Sequence, residues 1–202
     1  MTVSEGGNDR RGRPSLVLAS ASPRRRALLA IRVPEFEVKP ADIDEQTRHG
    51  EPPADYVLRL AVEKALAAEC DARRDWVIGS DTAVVRDGVC LGKPADRPEA
   101  CEMLRRLSGR SHEVYSSVAL AGPDRPAISA LSVSQVEFDV LPEAWIKQYS
   151  DSGEPLDKAG AYAIQGQAAA WIRSLTGSYS GVVGLPLFET AGLLREAGIL
   201  RP

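Results

Sequence analysis

The apolar positions of this chain change period several times. Leu16–Ala19 is a short continuous apolar run, the mark of a buried strand, and it stops at two serines. Ser22 then suits an N-cap and Pro23 the first helical position, so a helix is expected over Pro23–Ala30. A loop runs from Val33 to Pro53. Val57, Leu60, Ala61, Ala65 and Ala68 recur at helical spacing and predict a helix from Pro53 to about Cys70. Trp76 to Asp81 is a second apolar run, read as a strand that ends in a polar turn. Asp96 and Glu99 resemble a capping box and Gly109 a stop, which brackets a helix over Arg97–Leu107. His112–Ala121 and Ala127–Val140 are β-like, and the turn Gly122-Pro-Asp-Arg125 makes them an antiparallel hairpin. A change of phase near Ser134 reads as a bulge. A short helix at Pro142–Tyr149, a strand-like Val182–Gly184 and a last helix from Pro186 to about Ala197 complete the chain. No internal repeat or low-complexity tract is present. Strands alternate with helices in the first half and a hairpin interrupts the middle. The expectation is a mixed α/β fold, one elongated unit around a cleft over residues 15–202.

Composition narrows the function. With 202 residues the chain can bury a sizeable core, and 44% hydrophobic with 26% charged residues is ordinary for a globular protein. A net charge of −3 gives no overall field toward nucleic acid or anionic lipid, so any anion site must be local. No apolar run is long enough to span a bilayer. Met1 to Pro14 is polar, lacks the apolar core of a secretory signal and reads as a mobile tail. Cys70, Cys90 and Cys101 show neither metal spacing nor a disulfide framework, which points to a reducing cytosol. His49 and His112 have no ligand-spaced partner and read as surface or structural residues. Tyr162, Trp171 and Tyr179 are irregularly spaced, and 5% aromatic content is too little for a base-stacking surface. No Gly-x-x-x-x-Gly-Lys-Ser/Thr run exists, which excludes a P-loop.

The candidate chemistry begins at Ser20-Ala-Ser-Pro-Arg-Arg25. Arginines in a first helical turn oppose the helix dipole, a cost that an anion in front of the helix would offset. The other reading is a strand–turn–helix with solvated arginines. Asp81 follows an apolar run, where ligands of α/β sheets gather, and either serves as a carboxylate base or metal ligand or only shapes an Asx-turn. Lys64 falls near the middle of the apolar helical face, four residues beyond Leu60. It must snorkel out or meet an anion inside. Lys93, in Leu91-Gly-Lys-Pro94, is either a site lysine on a stiff segment or an exposed turn lysine. Asp44 and Glu45 are a solvated acidic pair or complete a metal site with Asp81. Gln165 offers donor and acceptor together, which suits a base edge, in a segment whose glycines otherwise only make turns.

Together and in this order, Ser20-Ala-Ser-Pro-Arg-Arg25, Gly79-Ser-Asp-Thr82, Leu91-Gly-Lys-Pro94, Leu107-Ser-Gly-Arg-Ser-His112, Asp157-Lys-Ala-Gly-Ala-Tyr-Ala-Ile-Gln-Gly166 and Gly177-Ser-Tyr-Ser-Gly-Val-Val-Gly-Leu-Pro186 resemble the Maf family, from about Leu16 to Ala197. The resemblance implies a nucleoside triphosphate pyrophosphatase with a fold similar to that of the inosine triphosphate pyrophosphatases, cytoplasmic and often a homodimer. It implies cleavage between the α- and β-phosphates with a divalent cation (Mg, Mn or Co). Asp81 matches the family's proton acceptor. Arg24, Thr82 and Gln165 match the substrate-sorting positions of the dTTP/UTP branch, where the 7-methyl-GTP branch has Trp, Gln and Glu. Ser20, Arg25, Glu45, Lys64 and Lys93 match polar positions around the phosphates and metal, with Asp81 and Glu45 as metal ligands. The resemblance also suggests modified pyrimidine triphosphates as substrates and, from the family's link to septum formation, an alternative role as a nucleotide-binding regulator of division. The extra N-terminal tail and Arg26 are the only departures.

Overall fold

A computed structural model describes residues 15–68, 70, 75–123 and 125–201. The expected tail over residues 1–14 lies outside them. Strand β1 (Leu16–Leu18) leads into helix α1 (Pro23–Ala30), then edge strand β2 (Glu37–Val38) and helix α2 (Pro53–Ala67). Strand β3 (Trp76–Arg86) turns into β4 (Val89–Leu91), and helix α3 (Arg97–Leu107) follows. The hairpin β5 (Ser111–Gly122) and β6 (Arg125–Phe138) precedes helix α4 (Glu143–Asp151). Three 3-10 turns (Glu154–Asp157, Ala159–Ala161 and Gln167–Trp171) lead to β7 (Ile172–Thr176), α5 (Tyr179–Val183) and α6 (Leu187–Glu196).

Six strands lie in the order β2-β1-β3-β5-β6-β7, with β4 also on β3. β1 is parallel to β2 and β3, and the remaining pairs are antiparallel. The sheet is therefore mixed, as expected. One edge of β3 pairs with β5 over Val77–Val85. Its other edge meets β1 only at residues 76–78 and β4 only at 84–86. Among the described residues no strand lies against 79–83 on that side. The sheet splits there, and the split opens the cleft.

The core divides along the same line. Leu18, Leu29, Ile78, Leu120 and Leu185 pack between β1, α1 and α6. Leu104, Leu107, Phe138, Ile146 and Tyr149 pack between α3, α4 and the sheet. Each set is almost fully buried, which is where most of the stabilisation from apolar burial arises.

Four expectations need correction. The strand beginning at Trp76 does not end at Asp81; Asp81 pairs with Ser117 in mid-strand and β3 continues to Arg86. Val182–Gly184 is not a strand. Ser178 caps α5 by accepting from Gly181 N at 3.0 Å, and Gly184 ends the helix at φ 138°. No bulge occurs at Ser134, which pairs regularly with Val114. Its inward serine looks out of phase only because it takes the place of an apolar residue: its hydroxyl accepts from Ser178 N at 2.9 Å. Strands β2, β4 and β7 also fall in stretches read as loops or left unassigned.

Candidate active site

The alternation of β3 places its polar run on both faces of the sheet. Gly79 and Asp81 face helix α2, while Ser80 and Thr82 face the turn at Gly184. A Cβ on Gly79 would lie 2.0 Å from Ala61 O and 2.6 Å from Ala65 N. Glycine here, against the alanines of α2, lets helix and strand backbones meet. That close approach carries Lys64 to Asp81. Lys64 Nζ donates to Asp81 Oδ1 at 2.7 Å and pairs with Glu45 Oε1 at 2.7 Å. The Lys64 side chain is 7% exposed and that of Asp81 9%. Lys64 thus meets anions inside rather than snorkelling out, and Asp81 makes an ion pair rather than an Asx-turn.

On the other face, the Gly184 carbonyl accepts from Arg25 Nε at 2.9 Å, Ser80 Oγ at 3.2 Å and Thr82 Oγ1 at 3.4 Å. One carbonyl thus ties α1, β3 and α5 together. Arg25 also donates to Ser20 Oγ at 3.3 Å. Ser22 caps α1 by accepting from Arg25 N at 3.4 Å, with Pro23 opening the helix as expected. Arg24 reaches 3.6 Å from Asp157 on the facing wall.

Apart from Gly79, Ser80 and the two alanines of α2, these residues line one cleft of about 780 Å³. Nine of the residues singled out from sequence face it: Ser20, Arg24, Arg25, Glu45, Lys64, Asp81, Thr82, Lys93 and Gln165. Asp44 does not join Glu45 and Asp81 there; it lies outside the cleft, and its Oδ1 accepts from the Gln46 N–H at 2.9 Å. Lys93 and Gln165 stand exposed, and the Gln165 amide has no hydrogen bond to another described residue. Sequence reasoning assigned no role to Tyr56, Asp157 or Lys158, which also line the cleft. Asp157 and Lys158 lie inside a quoted motif, so a signal existed. Tyr56 gave none beyond its place in an amphipathic helix.

Electrostatics follow from crowding. Burial pushes the Glu45 carboxyl up, but hydrogen bonding and charge from Lys64, with Lys93 and Arg25, outweigh it and leave Glu45 below its usual range. Burial lowers the Arg25 guanidinium, against the pull of Asp81 and Glu45. Burial, then Asp81 and Glu45, push Tyr56 up to about 12, so it is a neutral hydrogen-bond donor at neutral pH.

Asp81 and Glu45 share an ammonium, and among the described residues no group of three or more acidic, histidine or cysteine side chains forms a metal cage. Two carboxylates with a polyphosphate and water to complete the shell suit a hard, magnesium-like ion.

Arg24, Arg25, Lys64, Lys93 and Lys158 face the cleft against three acids, Glu45, Asp81 and Asp157. On a chain of net charge −3, this local excess of positive charge suits a polyanion. The fold and cleft define an α/β protein whose split sheet forms a cleft suited to a phosphorylated ligand. Residues 15–197 match the family described as Maf-like protein, and the chain belongs to the Maf family. It is 52% identical to the dTTP/UTP pyrophosphatase of Hahella chejuensis, over 93% of this chain and 94% of that protein. It is 46% identical to the dTTP/UTP pyrophosphatase of Bordetella pertussis, over 94% and 95% of the two chains. A HAM1 protein from Coxiella burnetii superposes with a TM-score of 0.49 at 17% identity, over 91% of this chain and 99% of that one.

Proposed function

We propose that this protein hydrolyses nucleoside triphosphates to the monophosphate and pyrophosphate, with dTTP and UTP, and their modified forms, as substrates. Its curated relatives carry that activity in their names. The observation that supports it best in the cleft is Asp81, buried and held by Lys64 within a ring of cations.

Arg24, Arg25 and Lys93 neutralise the phosphates, with Ser20 and the N-terminal N–H groups of α1 adding dipoles. Lys64 holds Asp81 and Glu45 in place. Asp81 takes a proton from water as that water attacks the α-phosphorus in line. The bond from the α-phosphorus to the bridging oxygen breaks, and pyrophosphate leaves with the oxygen and the bonding pair. Asp81 and Glu45 would hold a divalent cation (Mg, Mn or Co), which when bound supplies further neutralisation of phosphate charge. Positioning and electrostatics provide most of the acceleration, as is general for phosphoryl chemistry. Thr82 and Gln165 read the base. The reading includes a homodimer in the cytoplasm, as the family likeness implies. Among the described residues no helix is long and apolar enough to cross a membrane.

A panel of normal and modified triphosphates, scored for monophosphate plus pyrophosphate, tests this. Rapid release from UTP and dTTP and slow release from GTP is expected. Equal rates with GTP would remove the base assignment. Tight nucleotide binding without turnover would instead favour the regulator of division.

A further inference from the structure

The segment 42–48 brings Glu45 into the cleft without any helix or strand of its own. Most of the segment is exposed, so water can serve its backbone groups, yet two of its carbonyls accept from side chains of α2 instead. Arg59 and Tyr56, three residues apart on α2, are the donors. Arg59 forks onto Glu51, from Nε to Oε1 at 2.6 Å and from Nη2 to Oε2 at 2.7 Å. Nη2 also donates to the carbonyl of Gln46 at 3.1 Å, and Nη1 to Glu63 Oε2 at 3.0 Å. The guanidinium lies 5.7 Å from the centroid of the Tyr56 ring, and the Tyr56 hydroxyl donates to the Glu45 carbonyl at 2.9 Å. Glu51 in turn accepts from the backbone N–H of Arg48 at 3.0 Å.

The two ends of this arrangement meet at the site. Helix α2 carries Lys64 on one turn and Arg59 with Tyr56 on the turns before it. Glu45, held by the latter pair, reaches Lys64 Nζ at 2.7 Å. A half-exposed carboxylate on an unanchored loop would lose side-chain and loop entropy on making that pair. Anchoring the loop to the helix that bears its partner removes much of that cost.

We propose that Arg59, assisted by Tyr56, is a positioning residue that fixes the Glu45 segment over the cleft and so sets Glu45 against Lys64. An ordinary surface ion-pair cluster would join side chains only. Here two of the bonds end on backbone carbonyls of the segment itself, and the planar fork engages Glu51 bidentately, which lysine cannot reproduce.

The first test needs no activity. Amide hydrogen exchange is compared between the wild type, Arg59→Gln, Arg59→Lys and Tyr56→Phe. Exchange at the Gln46 and Arg48 amides, the N–H groups of the segment that donate to Asp44 and Glu51, should rise about tenfold in Arg59→Gln, nearly as much in Arg59→Lys and less in Tyr56→Phe, with core amides unchanged. Unchanged exchange in that segment overturns the proposal. If Arg59→Gln does not fold, Tyr56→Phe, which keeps the ring and loses only the hydroxyl, decides the matter alone. The second test rests on the pyrophosphatase reading and is a cycle of Glu45→Gln and Arg59→Gln in pyrophosphate release. If Arg59 acts through Glu45, kcat/KM of the double variant stays within about twofold of Glu45→Gln, while Arg59→Gln alone shifts it about fivefold. Multiplying effects overturn the proposal. Should the wild type hydrolyse no triphosphate, the functional reading fails and the exchange measurement still decides the positioning.

Discussion

Lys64 and Asp81 are closed off at 7% and 9% exposure, whereas Lys93 and Gln165 stand open to solvent along the same cleft. The floor of the cleft has its polar groups already engaged. Lys64 is shared by two carboxylates, and Arg25 is held by Gly184 and Ser20. The Gln165 amide has no partner among the described residues. The difference separates two tasks. On the proposed reading, the groups that act on the reacting bond are fixed in advance, where reorganisation would cost rate. On the same reading Gln165 sorts the base from the rim, where its bonds form only with ligand, while Thr82 does so from the floor. Changes on the floor should therefore disturb chemistry and folding together, and a change at Gln165 on the rim only selectivity.

The largest effect is expected from Asp81→Asn. The amide keeps the shape and one acceptor for Lys64 but cannot take a proton. Pyrophosphate release from UTP should fall by about a thousandfold, the scale of a lost general base, while equilibrium UTP binding changes only a few-fold. Near-normal turnover would remove Asp81 from the chemistry.

Gly79→Ala asks whether the floor depends on close backbone packing. The added methyl would sit 2.0 Å from a helix carbonyl. Backbone cannot yield cheaply, so α2 must shift, at about 3 kcal/mol of stability, and activity should fall as Lys64 moves off Asp81. Gly92→Ala is the control at the rim. Among the described residues nothing lies within 4 Å of where the added methyl would sit, and stability should stay within about 0.5 kcal/mol. Denaturant titrations of the two variants check the contrast; equal losses would erase it.

How far the sequence revealed this arrangement follows from the same division. Helices α1 and α3 were legible because Ser22, Pro23 and Asp96 are local signals that act within one turn. The full length of β3 was hidden, because Gly79-Ser-Asp-Thr82 looks like a turn until α2 and Gly184 provide partners for each face. The hairpin from β3 to β4 had a signal in Asp87-Gly88, both at positive φ, the pattern of a two-residue hairpin turn. Helix α5 could not be told from a strand by two valines; its cap and its glycine stop decide it. Lys64 was legible as a cation on an apolar face, but its two carboxylate partners lie 19 and 17 residues away and are joined to it only by the fold.

Beneath the rim, His112 offers a test of folding that leaves the floor alone. Its Nε2 lies 2.8 Å from the Tyr162 hydroxyl and its ring stacks on Phe138, 5.6 Å between centroids. Its Nδ1 is buried with no hydrogen-bond partner among the described residues. Burial, with a smaller push from Arg86, lowers it to about 4. The unfolded chain therefore binds a proton before the folded one does. The neutral form's stability is fully present above about pH 6.5 and is lost as pH falls toward 4, by about 3 kcal/mol at most. His112→Gln should flatten that part of the pH–stability curve in denaturant titrations. An unchanged slope would assign the acid sensitivity to carboxylates alone.

The smallest effect is expected at Gln165. Its side chain is exposed and its amide has no partner among the described residues, so Gln165→Ala should leave stability within about 0.5 kcal/mol of the wild type. One uncharged hydrogen bond to a base is worth about 1 kcal/mol, so the UTP-over-GTP ratio of kcat/KM should narrow by about fivefold to tenfold. Thr82 differs: its hydroxyl already engages Gly184 O and Ser116 Oγ, so removing it disturbs the floor as well as any base contact. A selective loss with an unchanged melting temperature would place base reading at the rim. A loss of UTP and GTP turnover in equal measure would mean that Gln165 shapes the cleft instead, and that the boundary between floor and rim runs beyond it.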